Sequence, residues 1–212
     1  MIKSSFVLLL LVFFCSAQPA AAQFQNSSGN YCIAAGGNML IGLTGIDPSL
    51  SPSLHFERAF NKHISVYSTA IYIGNVPFIN DDDYDQRSGV VAGFGFRYYF
   101  VNWILKKPLE GFYIGVQPLV QSYQRTTAYN YYPQGTYKDN TRVIAGGVSA
   151  LAGGRWISRR NISLDIWIGA GMLGGQVTNR YGAYPPATTV TEINENRTMG
   201  LFNSGMSVGY IF

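Results

Sequence analysis

The stretch RTMGLFNSGMSVGYIF, Arg197 to Phe212, decides the fold. Phe202, Met206, Val208, Tyr210 and Phe212 fall on one side of an extended strand, and Asn203, Ser207 and Gly209 on the other. Side chains alternate faces with period two, so this is a strand with one apolar face and one small or polar face. Ser88 to Phe100 repeats the pattern. Val90, Ala92, Phe94, Phe96, Tyr98 and Phe100 form one face, and Val91, Gly93, Gly95, Arg97 and Tyr99 the other. An amphipathic helix would need apolar residues three and four apart. Gly93 and Gly95 would also weaken a helix by about 1 kcal/mol each relative to Ala.

Gly111–Thr126 and Ile162–Gly175 alternate in the same way. Ile64–Gly74 and Arg142–Trp156 are extended and rich in β-branched residues, Leu54–Phe60 faces Ile64 across an Asn61-Lys62 turn, and Cys32–Thr44 supplies a first strand. The count is about eight strands in an all-β, antiparallel chain. No segment has the 18 consecutive apolar residues of a membrane helix. An apolar face on strands of this number suits a closed barrel in lipid, because an open edge there leaves backbone groups unsatisfied at several kcal/mol each.

A strand that is apolar outward, small inward and aromatic at its end resembles the terminal signal of bacterial outer-membrane β-barrels. That resemblance implies that Val208, Tyr210 and Phe212 are read by the barrel-insertion machinery. The run Arg97-Tyr98-Tyr99-Phe100, the turn Lys106-Lys107-Pro108-Leu109-Glu110-Gly111 and then Phe112-Tyr113-Ile114-Gly115 are similar to the small outer-membrane barrels of Bacteroidetes, in families of unknown function. The likeness covers residues 88–212 well and the first three strands poorly. It implies an architecture and brings no catalytic residues.

The amino-terminal end supports the same address. Lys3, the nine-residue apolar run Phe6–Phe14 and Ala20-Ala21-Ala22 read as a secretory signal over residues 1–22. The run is too short for a membrane anchor, which needs about 20 apolar residues. Residues 23–212 are then one barrel domain, with fourteen basic and eleven acidic residues. The excess is small and scattered, so no nucleic-acid partner is expected. One cysteine, Cys32, remains after the signal, which excludes a disulfide framework within the chain. The 24 Gly, 15 Tyr and 13 Phe with 12% charged residues suit a wall in lipid with aromatic girdles.

Connection lengths set the orientation. Asn61-Lys62, Val101–Glu110 and Ser158–Asn161 read as short periplasmic turns, and Asn75–Arg87, Thr127–Thr141 and Gln176–Asn196 as long external loops. Both ends of the barrel chain then lie in the periplasm. Outer-membrane lipid and lipopolysaccharide surround it.

The bore of eight strands is just wide enough for side chains. Glu57, Arg97, Arg155 and Asp165 point inward by alternation, and a buried charge must be paired, so they are expected to form a polar network. External-loop contact candidates are Tyr129, Tyr131, Tyr132, Tyr137, Tyr181 and Tyr184, since tyrosine offers contact area with a polar tip, to a protein or a glycan. His55 shares the inward face with Glu57 without a nucleophile motif, and His63 sits at a turn. The acidic run Asp81–Asp85 lacks the glycine and glutamate of a calcium loop, with Gln86 and Ala92 in their places. No metal, cofactor or catalytic residue is expected. The sequence thus points to a structural or interaction protein, with a narrow channel and a lipid-modifying enzyme as alternative classes. Phe94→Arg is expected to damage the barrel more than Gly95→Ala.

Overall fold

The computed structural model describes residues 30–42, 45–74, 84–101, 108–131, 135–181 and 191–212. Its elements are β1 (Tyr31–Gly42), β2 (Gly45–Ala59), β3 (Ile64–Ile73), β4 (Tyr84–Val101), β5 (Gly111–Tyr131), β6 (Gly135–Ile157), β7 (Ile162–Tyr181) and β8 (Thr191–Ile211). Each strand pairs antiparallel with its sequence neighbour, and β8 pairs with β1 to close the barrel. The expected signal segment, residues 1–22, lies outside the described residues.

The register fixes the geometry. Cross-strand partners followed once around the barrel from Tyr31 run through Arg58, Val66, Phe96, Val116, Ala150, Ala170 and Phe202. They return to β1 at Ile41, ten residues further on. With a rise of about 3.3 Å per residue and about 4.8 Å between strands, that stagger tilts the strands by about 40°. A hydrocarbon band of about 25 Å then takes about ten residues of each strand. The outward face matches this length. On β7, Ile162, Leu164, Ile166, Ile168 and Met172 are exposed, and Gln176 and Thr178 follow.

Tyr31, Phe212 and the turns at 60–63 and 158–161 share one end of the barrel, the turn end; the opposite end is the far end. Closure is tight at the turn end. Tyr31 and Phe212 exchange two backbone hydrogen bonds of 3.1 and 2.9 Å and stack their rings at 5.8 Å. Asn161 ends the turn at φ 62°, a left-handed conformation that Asn tolerates well. Its carbonyl accepts from the Ile211 amide at 2.9 Å.

Two departures from the sequence reading concern strand length. The ladders of β5–β6 and β7–β8 run on to Tyr131↔Gly135 and Tyr181↔Thr191, through stretches read as loops. Beyond the apolar band both faces are polar, so the alternating pattern fades while backbone pairing continues. Thr126–Asn140, Thr141–Asn179 and Thr178–Asn194 hydrogen bonds of 2.7, 2.9 and 2.6 Å cross-link the extension. Likewise β2 begins at Gly45, well before Leu54. Pro48 and Pro52 argue against a strand in sequence, yet β2 pairs with β3 only up to Ser53↔Ile71, which among the described residues leaves both prolines on an edge. Pro118 in β5 falls in a gap of the β4–β5 register, between Gly93↔Leu119 and Phe96↔Val116.

Candidate functional site: the filled bore and the projecting sheet

The bore has two layers. Nearer the turn end, Glu57 on β2, Arg97 on β4, Arg155 on β6 and Asp165 on β7 point inward and meet. Arg97 Nη1 lies 2.8 Å from Glu57 Oε2 and 2.8 Å from Asp165 Oδ2. Arg155 Nη2 lies 2.7 Å from each of the same two oxygens. Two cations and two anions thus alternate in a closed ring that is formally neutral and at most 3% exposed. Desolvating each ion costs several kcal/mol, which only good geometry and further hydrogen bonds repay.

Those further bonds come from residues that the charge pattern alone does not reveal. Tyr99 Oη donates to Glu57 Oε1 at 2.9 Å, Ser65 Oγ donates to the same oxygen, and Tyr113 Oη donates to Asp165 Oδ1 at 2.9 Å. The Arg97 guanidinium is sandwiched between the Tyr67 and Tyr113 rings, 4.2 and 4.3 Å from their centroids. A desolvated cation–π contact is worth up to about 2 kcal/mol. The signal that finds these tyrosines is glycine across the ladder. Tyr67 is the cross-strand partner of Gly95, Tyr113 of Gly153 and Trp167 of Gly205. A Cβ at any of the three glycines would strike the facing ring. Small-opposite-large pairing is how a narrow bore is filled without voids.

Below the ring, Leu109, Ile157, Ile211 and Ala59 close the turn end, with Leu109 held at φ 66° to bring its side chain inside. Above it, Ile71, Val91, Leu119, Tyr123, Val143, Leu173, Val177 and Leu201 form a buried apolar layer. His55 lies between the layers. Its Nε2 is 2.8 Å from Ser53 Oγ and its ring meets Trp167 edge-on at 5.0 Å. His63 Nδ1 is 2.8 Å from the Tyr99 carbonyl oxygen at the turn.

Outside the bore, Val208, Tyr210 and Phe212 are exposed on the outward face of β8. The tyrosine candidates do not sit as loop residues. Tyr129, Tyr131 and Tyr137 lie on the paired β5–β6 extension, with Tyr129 opposite Tyr137, and Tyr181 ends β7 opposite Asp139 and Thr191. Loop placement fails for these four because the ladder continues beneath them. Tyr132 and Tyr184 lie outside the described residues. Together β5 to β8 make a four-stranded polar sheet that rises past the apolar band at the far end.

A family model described as a protein of unknown function, DUF3575, matches residues 6–212. The chain belongs to that family. No curated protein matches it by sequence. Among solved structures, the outer membrane protein AlkL, determined in DMPC lipid bilayers, aligns with a TM-score of 0.53 at 9% identity, over 88% of this chain and 91% of that one. Ail, the attachment invasion locus protein of Yersinia pestis, aligns with a TM-score of 0.44 at 10% identity, over 87% of this chain and 99% of that one. The fold is that of the small eight-stranded outer-membrane barrels.

Proposed function

We propose that this protein is an outer-membrane barrel that works as an interaction scaffold: lipid and lipopolysaccharide hold its apolar band, and its projecting sheet meets partners outside the cell. In this reading the chain is a small barrel of the Bacteroidetes type. Residues 1–22 direct export, and Val208, Tyr210 and Phe212 serve the insertion machinery. A protein or glycan is the expected partner, with Tyr181 and the β5–β6 tyrosines among its contacts. The observation that carries the reading is a bore packed in two layers, the charged ring and the apolar cluster above it, beneath a sheet that continues well beyond the band. A transporter needs the opposite, an open bore. The Ser53–His55 contact is part of the packing in this reading, because both side chains are buried between filled layers.

Planar-bilayer recording on the refolded protein separates scaffold from channel. The scaffold gives no unitary steps. Reproducible steps that change on Gln117→Ala, a substitution in the bore, would move the protein to the channel class. Altered lipid A in cells carrying the protein, lost on His55→Ala, would move it to the enzymes.

A further inference from the structure

The projecting sheet has one long free edge. β1 pairs with β8 only up to Ile41↔Phe202, whereas β7 pairs with β8 as far as Tyr181↔Thr191. The eleven residues Thr191–Leu201 are therefore paired on one side only, and among the described residues no strand lies on the other. Successive residues of a strand direct their amide and carbonyl groups to opposite sides. Every second residue of this segment thus presents an unpaired N–H and C=O, a template for another strand.

Natural sheets blunt such edges with proline, lysine or a bulge. This barrel does so elsewhere. β2, N-terminal to Ser53 where its register with β3 ends, carries Pro48 and Pro52. Thr191–Leu201 contains neither proline nor lysine, and its register with β7 runs without a shift. Its charges are already neutralised, Glu192 by Arg180 at 3.0 Å and Glu195 by Arg197. Glu192, Ile193, Asn194, Asn196, Arg197, Thr198 and Gly200 are exposed.

From these observations we infer that Thr191–Leu201 is a docking edge that captures an extended segment of another polypeptide by strand addition. The inference rests on the exterior placement of the projecting sheet. A second copy does not fit. Two barrels in one membrane are related by an axis along the membrane normal, so their β8 strands, each tilted by about 40°, would cross at about 80° instead of pairing. The occupant is a water-soluble chain, free to align with the edge. Main-chain hydrogen bonds would supply affinity, and alternate side chains selectivity. One face of the edge carries Glu192, Asn194, Asn196 and Thr198, and the other Ile193 and Met199 on either side of the Glu195–Arg197 ion pair, with Leu201 buried in the bore. A segment alternating small polar with aliphatic residues complements both.

Amide hydrogen exchange of the full barrel in lipid nanodiscs tests this, with a synthetic eleven-residue peptide of alternating Thr and Val as the probe. Without peptide, amides from Glu192 to Gly200 should alternate between fast (edge) and slow (paired to β7). With peptide, the fast set should slow into the range of the paired set. Proline at an edge-directed position, chosen from the fast set, should abolish that slowing and leave the β7-directed amides protected. Uniform slow exchange without peptide, or fast amides that stay fast at saturating peptide, would overturn the proposal. Labelling Asn196→Cys with a membrane-impermeant maleimide on intact cells keeps the two readings apart. A labelled cysteine with an unresponsive edge sinks the docking edge alone, and an unlabelled one sinks the exterior placement beneath it.

Discussion

Neutralising Asp165 tests whether the four buried charges act as one unit. Asp165 Oδ2 receives Arg97 at 2.8 Å and Arg155 at 2.7 Å, so Asp165→Asn leaves two cations facing one carboxylate and a formal +1 in the bore. Removing one partner of a buried pair costs about 3–5 kcal/mol. Both arginines keep Glu57 at 2.8 and 2.7 Å, and an asparagine oxygen can still accept from Tyr113, so the expected cost is at the lower end, about 3 kcal/mol. Arg155→Gln leaves a formal −1 and should cost about as much. The double variant restores neutrality around Glu57 and Arg97. It should fall short of the sum of the singles by about 2–3 kcal/mol, the upper range for contacting groups. Reversible urea unfolding in lipid vesicles, followed by tryptophan fluorescence, gives all four free energies. The Arg180–Glu192 pair, with side chains 60% and 43% exposed, is the control and should couple by no more than about 1 kcal/mol. Additive effects at Asp165 and Arg155 would refute the closed ring.

The same unfolding assay checks four simpler changes. Phe94→Arg places a cation on the outward face near the middle of the apolar band and should cost about 2–4 kcal/mol. Gly95→Ala should be the milder of the two but far from neutral, because a new Cβ would strike the Val116 carbonyl oxygen and the Tyr67 ring. Overpacking of this kind costs about 1–3 kcal/mol, whereas Gly200→Ala, with nothing within 4 Å, should be close to neutral. Tyr99→Phe removes a hydrogen bond to the Glu57 carboxylate and should cost about 1.5–3 kcal/mol.

The wall was legible where lipid and bore demand opposite chemistry. Ser88–Phe100 reads as a strand because its outward residues from Val90 to Phe100 are all apolar, while its inward ones are glycine, valine, arginine and tyrosine. The charged ring was legible for a related reason: Glu57, Arg97, Arg155 and Asp165 sit on inward faces where an unpaired ion is too costly to keep. Its tyrosine frame was not, because tyrosine serves equally in a girdle. Only the register sets Tyr67 against Gly95 and Tyr113 against Gly153. The ends of β5 to β8 were hidden because Thr, Asn and Arg occupy both faces there, and Gly45–Pro52 because proline marks an edge as readily as a break. The free edge of β8 is invisible to any single-strand reading, since it arises from where β1 stops.

Gel mobility of the protein from the outer-membrane fraction, with and without boiling, tests the central claim most directly. A closed eight-stranded barrel spanning that membrane should run as a compact, faster band before boiling and at full apparent mass after it. A protein recovered from the soluble periplasm, with one mobility under both conditions, would contradict the account.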